Sequence, residues 1–143
     1  MHASRIDHVH IEVTDRKLAA AWYRDVLGLE PSQELQSWAD DPMGPLILQT
    51  ADGHPALSLF ARPQKPLSRD NTVAFRLDGT SFLAFLAGLN RMDLVDRTGK
   101  KVTATDLSDH HLSWSIYFVD PDGNRLEVTT YDYAHVAAHM TNE

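Results

Sequence analysis

One outline is written twice along this chain, and that duplication limits what the chain can fold into more than any other feature. In the first copy, Ile6 to Val13 alternates so that Val9, Ile11 and Val13 share one face while His8, His10 and Glu12 share the other, the period of two expected of a strand. Asp15 then offers an N-cap, and Leu18, Ala19, Trp22 and Val26 recur at helical spacing until Gly28 stops the helix after Leu27. Leu46 to Gln49 and Ala56 to Arg62 read as an antiparallel strand pair joined through Ala51-Asp52-Gly53, and Glu34 to Asp41 reads as a short strand or irregular piece.

The second copy follows a Pro-containing, charged linker from Arg62 to Asp70. Val73, Phe75 and Leu77 alternate with Thr72, Ala74 and Arg76; Asp78-Gly79 turns the chain; Phe82, Leu83, Phe85, Leu86 and Leu89 form a second apolar helix face. Leu94 to Val95, Val102 to Leu107, Ser115 to Val119 and Arg125 to Thr129 read as strands. The last two are joined by Asp120-Pro121-Asp122-Gly123-Asn124, a strong turn signal. From Asp132 onwards a short helix or loose end is expected. Each half runs strand, helix, then several strands, so the expected class is α+β by duplication and not one continuous parallel βαβ sheet. Residues 1–143 are read as a single domain with internal modules at about 5–62 and 70–131.

Bulk properties narrow the function classes. The 143 residues suffice for a core without staples, and the absence of Cys removes disulfides, thiolate nucleophiles and Cys-ligated zinc. Thirteen basic against twenty acidic residues give a formal charge of -7, which repels a nucleic-acid backbone. No apolar run reaches membrane-spanning length, and Met1 to Arg5 lead straight into a strand pattern, so a cytoplasmic protein without membrane or nucleic-acid partners is expected. No P-loop, glycine-rich dinucleotide fingerprint, Gly-x-Ser-x-Gly elbow or His-Glu-x-x-His helix is present in the sequence.

Strand parity selects the chemistry-bearing residues. If the apolar positions pack under the helices, the opposite faces carry His8, His10 and Glu12, Ser58 and Phe60, Thr72 and Arg76, Ser115 and Tyr117, and Arg125, Glu127 and Thr129. Ionisable groups so placed are costly to bury unless they pair, bind an ion, or meet solvent or ligand. Two open readings attach to His8 and Glu127: a neutral imidazole and a carboxylate suit Fe(II), Mn(II), Ni(II) or Zn(II), and equally they suit a structural hydrogen-bonded pair. His10 reads as a substrate-facing group or a wet strand residue. In Asp109-His110-His111 one imidazole can shuttle a proton, or both are exposed loop residues. Tyr117 can donate to an oxyanion, or pack.

The segments Ile6-Asp7-His8-Val9-His10, Trp22-Tyr23-Arg24-Asp25-Val26-Leu27-Gly28-Leu29 and Tyr117-Phe118-Val119-Asp120-Pro121-Asp122-Gly123-Asn124-Arg125-Leu126-Glu127 carry a resemblance. Over residues 5–131 the chain resembles the vicinal oxygen chelate superfamily, which contains glyoxalase I, type I extradiol dioxygenases, fosfomycin resistance enzymes and bleomycin-sequestering proteins. The resemblance implies paired βαβββ modules around an open barrel-like cavity, and commonly a homodimer; Phe82, Phe85, Leu86 and Leu89 offer apolar surface either for core and contact together or for core packing alone. It places the first-strand metal ligand on His8 and the last-strand ligand on Glu127. The His expected at the start of the second module falls on Thr72, and the additional Glu of glyoxalases falls near Ser58, so the implied ligand set is incomplete. The loop and strand from Asp109 to Tyr117 resemble those carrying substrate-facing His and Tyr in the dioxygenase branch.

Two functions follow as expectations. The first is a small-molecule enzyme of dioxygenase or lyase type. It would use a divalent metal at His8 and Glu127, or none, with His110 or His111 moving a proton and Tyr117 steadying oxygen charge. The second is a metal-free module binding or sequestering a small polar or aromatic molecule. In both, His10, Phe60, Thr72, Arg76 and Trp114 would contact the small molecule. A duplicated scaffold for protein association is a third, weaker expectation.

Overall fold

A computed structural model describes residues 1–2, 5–62 and 71–141, and the chain divides into two compact units, Met1–Ser68 and Arg69–Glu143. In the first, β1 (Val9–Val13) leads into α1 (Arg16–Leu27), then β2 (Glu30–Pro31), β3 (Leu46–Gln49) and β4 (Pro55–Ala61). The sheet order is β1-β4-β3-β2, with β1 parallel to β4 and the other pairs antiparallel. The second unit repeats this plan with β5 (Thr72–Arg76), α2 (Gly79–Met92), β6 (Ser108–Asp109), β7 (Trp114–Val119) and β8 (Arg125–Thr130), in the order β5-β8-β7-β6, and adds α3 (Tyr133–Thr141). Two α+β modules of βαβββ form are therefore present, as the duplicated pattern requires.

Capping and burial explain the elements. Asp15 accepts a hydrogen bond from the Leu18 amide at 2.9 Å to open α1, and Gly28, at φ +68°, closes it with its amide donating to the Arg24 carbonyl. The buried stripe of α1 is Ala19, Ala20 and Tyr23, so the expected Leu18 anchor is wrong: at helical spacing it turns away from that stripe and is 72% exposed. In the sheet, Val9 and Ile11 lie beside Leu57 and Leu59, which in turn face Leu48 and Leu46, so one face is apolar throughout.

In the second unit Asp78 caps α2 by accepting from the Ser81 amide at 2.8 Å, so Gly79 starts a helix instead of only turning the chain. Phe82, Phe85, Leu86 and Leu89 are all buried within the chain, and the Phe85 ring lies 5.9 Å from that of Phe118 on β7. The apolar face expected to serve a dimer is thus consumed by the core.

Glu34 to Asp41 is the irregular piece, with a 3-10 turn over Gln36–Asp40. Three strand expectations are corrected. Val102 to Leu107 is not a strand: Thr103 and Asp106 cap each other and fold Ala104–Asp106 into a second 3-10 turn. Leu94 and Val95 form no full strand; Val95 makes isolated bridges to Lys101 and Val119. The strand expected from Ile6 starts at Val9, leaving His8 just before it. The linker beyond Arg62 lies outside the described residues.

Candidate functional site

The second sheet has one apolar face and one polar face, and register fixes which side chains meet on each. Ile116, Phe118, Leu126 and Val128 are buried beneath α2 and pair across β7 and β8. The intervening positions present Ser115 and Tyr117 from β7, Arg125, Glu127 and Thr129 from β8, and Thr72, Ala74 and Arg76 from β5. Tyr117 stands opposite Glu127, while Ala74 flanks Glu127 from the other side; Thr72 is paired with Arg125 instead.

Hydrogen bonds tie this face together. The Ser115 hydroxyl donates to Glu127 Oε1 at 2.7 Å and lies 3.0 Å from Thr129 Oγ1, which itself donates to the Trp114 carbonyl. His110 Nε2 is 2.9 Å from the Tyr117 hydroxyl. Burial pushes the Tyr117 phenol above its usual value near 10; the charge of Glu127 raises it further, Ser115 opposes the shift, and hydrogen bonding to Glu127 adds to it. Tyr117 is therefore a neutral hydrogen-bond donor at physiological pH, despite an exposure of 40%.

The loop before β7 explains why His110 and not His111 reaches this tyrosine. Asp109 Oδ1 accepts from the His111 amide at 2.8 Å, and its Oδ2 accepts from the Tyr133 hydroxyl at 2.9 Å. The His110 amide donates to the Ser113 carbonyl at 2.9 Å, closing the turn, and His111 takes the left-handed conformation at φ +68°. Its imidazole is left 90% exposed. The hydrogen bond from His111 is the main cause holding the Asp109 carboxyl below its ordinary range, and the bond to Asp109 in turn raises the Tyr133 phenol.

Trp114 has the parity of Ile116, not of Tyr117: its ring stacks on Tyr133 at 5.1 Å and its indole N–H donates to the Tyr133 carbonyl. It braces the loop from the opposite face of the sheet. Arg76 lies 5.1 Å over the Tyr131 ring, a cation–π contact at the far end of β5. Sequence reasoning put Ser115 on the correct face without giving it a role, and it carried no signal for Tyr133, whose contribution depends on where α3 begins.

In the first unit, His10 rests against the Phe60 ring at 4.2 Å and its Nε2 is 3.9 Å from Glu12 Oε1, while the Arg62 guanidinium lies 5.1 Å from the same Phe60 ring. His8 is exposed, with Nδ1 bonded to its neighbour Asp7 at 2.7 Å. His8 belongs to the first unit and Glu127 to the second.

The donor chemistry around Glu127 decides how a divalent ion fits there. On its own sheet the carboxylate is flanked by a methyl group, a phenol held neutral and a serine hydroxyl that already donates to it. Nitrogen and carboxylate donors, which transition ions require, are not among these neighbours on its sheet. Among the described residues no group of three or more His, Cys, Asp or Glu is placed to hold an ion. The residues beside Glu127 on its own sheet do not form a metal shell.

The Glyoxalase/Bleomycin resistance protein/Dioxygenase superfamily profile matches residues 5–128, and the chain belongs to that superfamily. Among solved structures it is similar to the oxidase ChaP-H2, at 20% identity and TM-score 0.68 over 94% of this chain and 99% of that one. It is also similar to the oxidase ChaP-H1, at 22% and 0.64 over 90% and 96%. A glyoxalase/dioxygenase from Nostoc punctiforme follows at 20% and 0.62 over 90% and 91%. These likenesses concern the fold. No curated protein sequence matches significantly. No helix among the described residues is long and apolar enough to cross a membrane.

Proposed function

We propose that the chain is a small-molecule enzyme whose chemistry is proton transfer, carried out on the polar face of the second sheet. The observation supporting this reading is that a neutral phenol, Tyr117, is the cross-strand partner of a base, Glu127, and lies 2.9 Å from an imidazole, His110. Glu127 takes a proton from the carbon or hydroxyl of a bound substrate and returns it there or exchanges it with solvent, Tyr117 donates a hydrogen bond to the oxygen where negative charge develops, and His110, exposed at the loop, holds the phenol oxygen at 2.9 Å. When His110 donates through Nε2 to the phenol oxygen, the phenol proton is free to point at the substrate. Substrates of this kind have an acidic C–H or O–H next to a carbonyl, enol or phenol. Thr72 and Arg76 bound the same face; His10 and Phe60, on the first sheet, supply an aromatic contact of their own.

A binding protein without turnover is the second reading, and one observation favours it: Ser115 already donates to Glu127, as it does to a structural carboxylate. Solvent-deuterium exchange into a series of enolisable ketones, hydroxy acids and phenols, followed by NMR, separates the two. The enzyme reading expects exchange of at least one compound, slowed about 100-fold or more by Glu127→Gln and by Tyr117→Phe, with affinity largely kept. Binding of a compound with no catalysed exchange in any member of the series favours the sequestering reading instead. We further propose a homodimer, and velocity sedimentation is its test; a monomer at all concentrations excludes it.

A further inference from the structure

A second feature of the same sheet speaks to what the substrate carries. At the end where β5 and β8 begin and β7 finishes, a hollow of about 240 Å³ is lined by Thr72, Asp96, Arg97, Tyr117, Val119 and Arg125 among others. Register explains part of this wall: Arg125 lies between Thr72 on β5 and Val119 on β7, one inward position along from Glu127 and Tyr117. Arg97 comes from the turn between the two chain segments bridged at Val95 and Lys101.

The electrostatics of this hollow run against the rest of the chain. The molecule carries a formal charge of -7, yet two arginines and a single carboxylate, Asp96, line one small space. Neither arginine has an ion pair or side-chain hydrogen bond among the described residues. The carboxylate that shares the hollow is tied to its own turn through one oxygen: Asp96 Oδ1 accepts from the Thr98 amide at 2.8 Å, the Thr98 hydroxyl at 2.6 Å and the Lys100 amide at 3.1 Å. Two arginines against one carboxylate leave an excess positive charge in the hollow, and an oxyanion is the partner that matches it through bidentate hydrogen bonds. The volume lies below the range of about 300–1,000 Å³ typical of drug-sized ligands, which suits a compact acid.

We propose that this hollow is the subsite for an oxyanion group, a carboxylate or phosphonate, of a small molecule whose remaining part lies against Tyr117. The preferred substrate class is then a small organic acid, with its anionic group at Arg97 and Arg125 and its reacting carbon or hydroxyl toward Tyr117 and Glu127. The assignment of the reacting end rests on the proton-transfer reading; the anion subsite itself does not.

The test is an NMR titration of the full chain with benzoate and with its neutral counterpart benzamide, in low salt. Benzoate is expected to shift the amides of Thr72, Thr98, Tyr117 and Val119 in a saturable way, and to bind about tenfold or more tightly than benzamide. Arg97→Met and Arg125→Met should each weaken benzoate by about tenfold and leave benzamide unchanged, and added salt should do the same. Arg97 is exposed, so its variant carries the test even if Arg125→Met fails to fold. Absence of saturable benzoate shifts, equal affinity for the two compounds, shifts confined to other regions, or an unchanged benzoate affinity in Arg97→Met overturns the proposal. Benzoate binding as described, with no catalysed exchange in any acid, sinks the proton-transfer reading and leaves the subsite standing. Catalysed exchange indifferent to substrate charge and to Arg97→Met does the reverse.

Discussion

Glu127 stands directly across the β7–β8 ladder from Tyr117, and the phenol of Tyr117 is at the same time 2.9 Å from His110 Nε2. Three residue types that handle protons are brought together by two adjacent strands and the loop that precedes one of them. Register does most of this. A shift of one residue between β7 and β8 would send Tyr117 to the apolar face, where Ile116 and Phe118 pack.

The loop should depend on Asp109. Replacing it in Asp109→Ala removes the acceptor for both the His111 amide and the Tyr133 hydroxyl, and is expected to loosen the loop. Hydrogen exchange of the amides at 110 to 113 should speed up, and the His110 contact to Tyr117 should loosen. Acid should mimic the substitution. Because the folded state holds the Asp109 carboxyl below its usual value of 3.8, the stabilisation is complete above that pH and is lost as pH falls through the lowered value. Unchanged exchange in the variant would mean that the loop is held by other contacts.

The two apolar helix faces make a paired prediction about stability. Phe82 is fully buried, and Phe82→Ala should destabilise by about 3–5 kcal/mol, measured by urea unfolding. Leu18, despite its place in the apparent apolar period of α1, should tolerate Leu18→Ala within about 0.5 kcal/mol. Comparable losses at the two positions would contradict the burial pattern.

Metal affinity tests the donor chemistry around Glu127. Isothermal titration with Mn(II), Ni(II), Zn(II) and, without oxygen, Fe(II) should show binding no tighter than the micromolar range, unaltered by His8→Ala or Glu127→Ala, because the neighbours of Glu127 on its sheet are a methyl group, a phenol and a hydroxyl. Tight binding lost in both variants would restore the ligand pair that the family resemblance implies.

How far the sequence could be read depended on what kind of physics sets each feature. Alternation along β5, β7 and β8 placed Thr72, Tyr117, Arg125 and Glu127 on one face correctly, because the side-chain period of a strand is a property of the backbone itself. The caps Asp15 and Gly28 were legible for the same reason, each satisfying local backbone geometry. Val102 to Leu107 misled because apolar spacing there competes with the reciprocal Thr103–Asp106 cap, and the local hydrogen bonds win. The choice between His110 and His111 was not available from sequence, since it depends on Tyr133, twenty-four positions from Asp109, accepting its place beside Trp114. Trp114, expected to contact the small molecule, has the opposite strand parity from Tyr117 and stacks on Tyr133 instead.

The titration of Tyr117 goes to the centre of the matter and needs no substrate. Phenolate absorbance is followed with rising pH in the Tyr133→Phe background, since Tyr133 is also raised and would overlap, and Tyr117→Phe identifies the contribution of Tyr117. A raised folded-state value means that the neutral phenol is favoured, so the associated stability is intact below pH 10 and lost as pH climbs through the higher value. If Glu127 and Tyr117 share one site, Tyr117 titrates above 10 and Glu127→Gln brings it back toward 10. A tyrosine that titrates at its ordinary value, indifferent to Glu127→Gln, would contradict the proton-handling site.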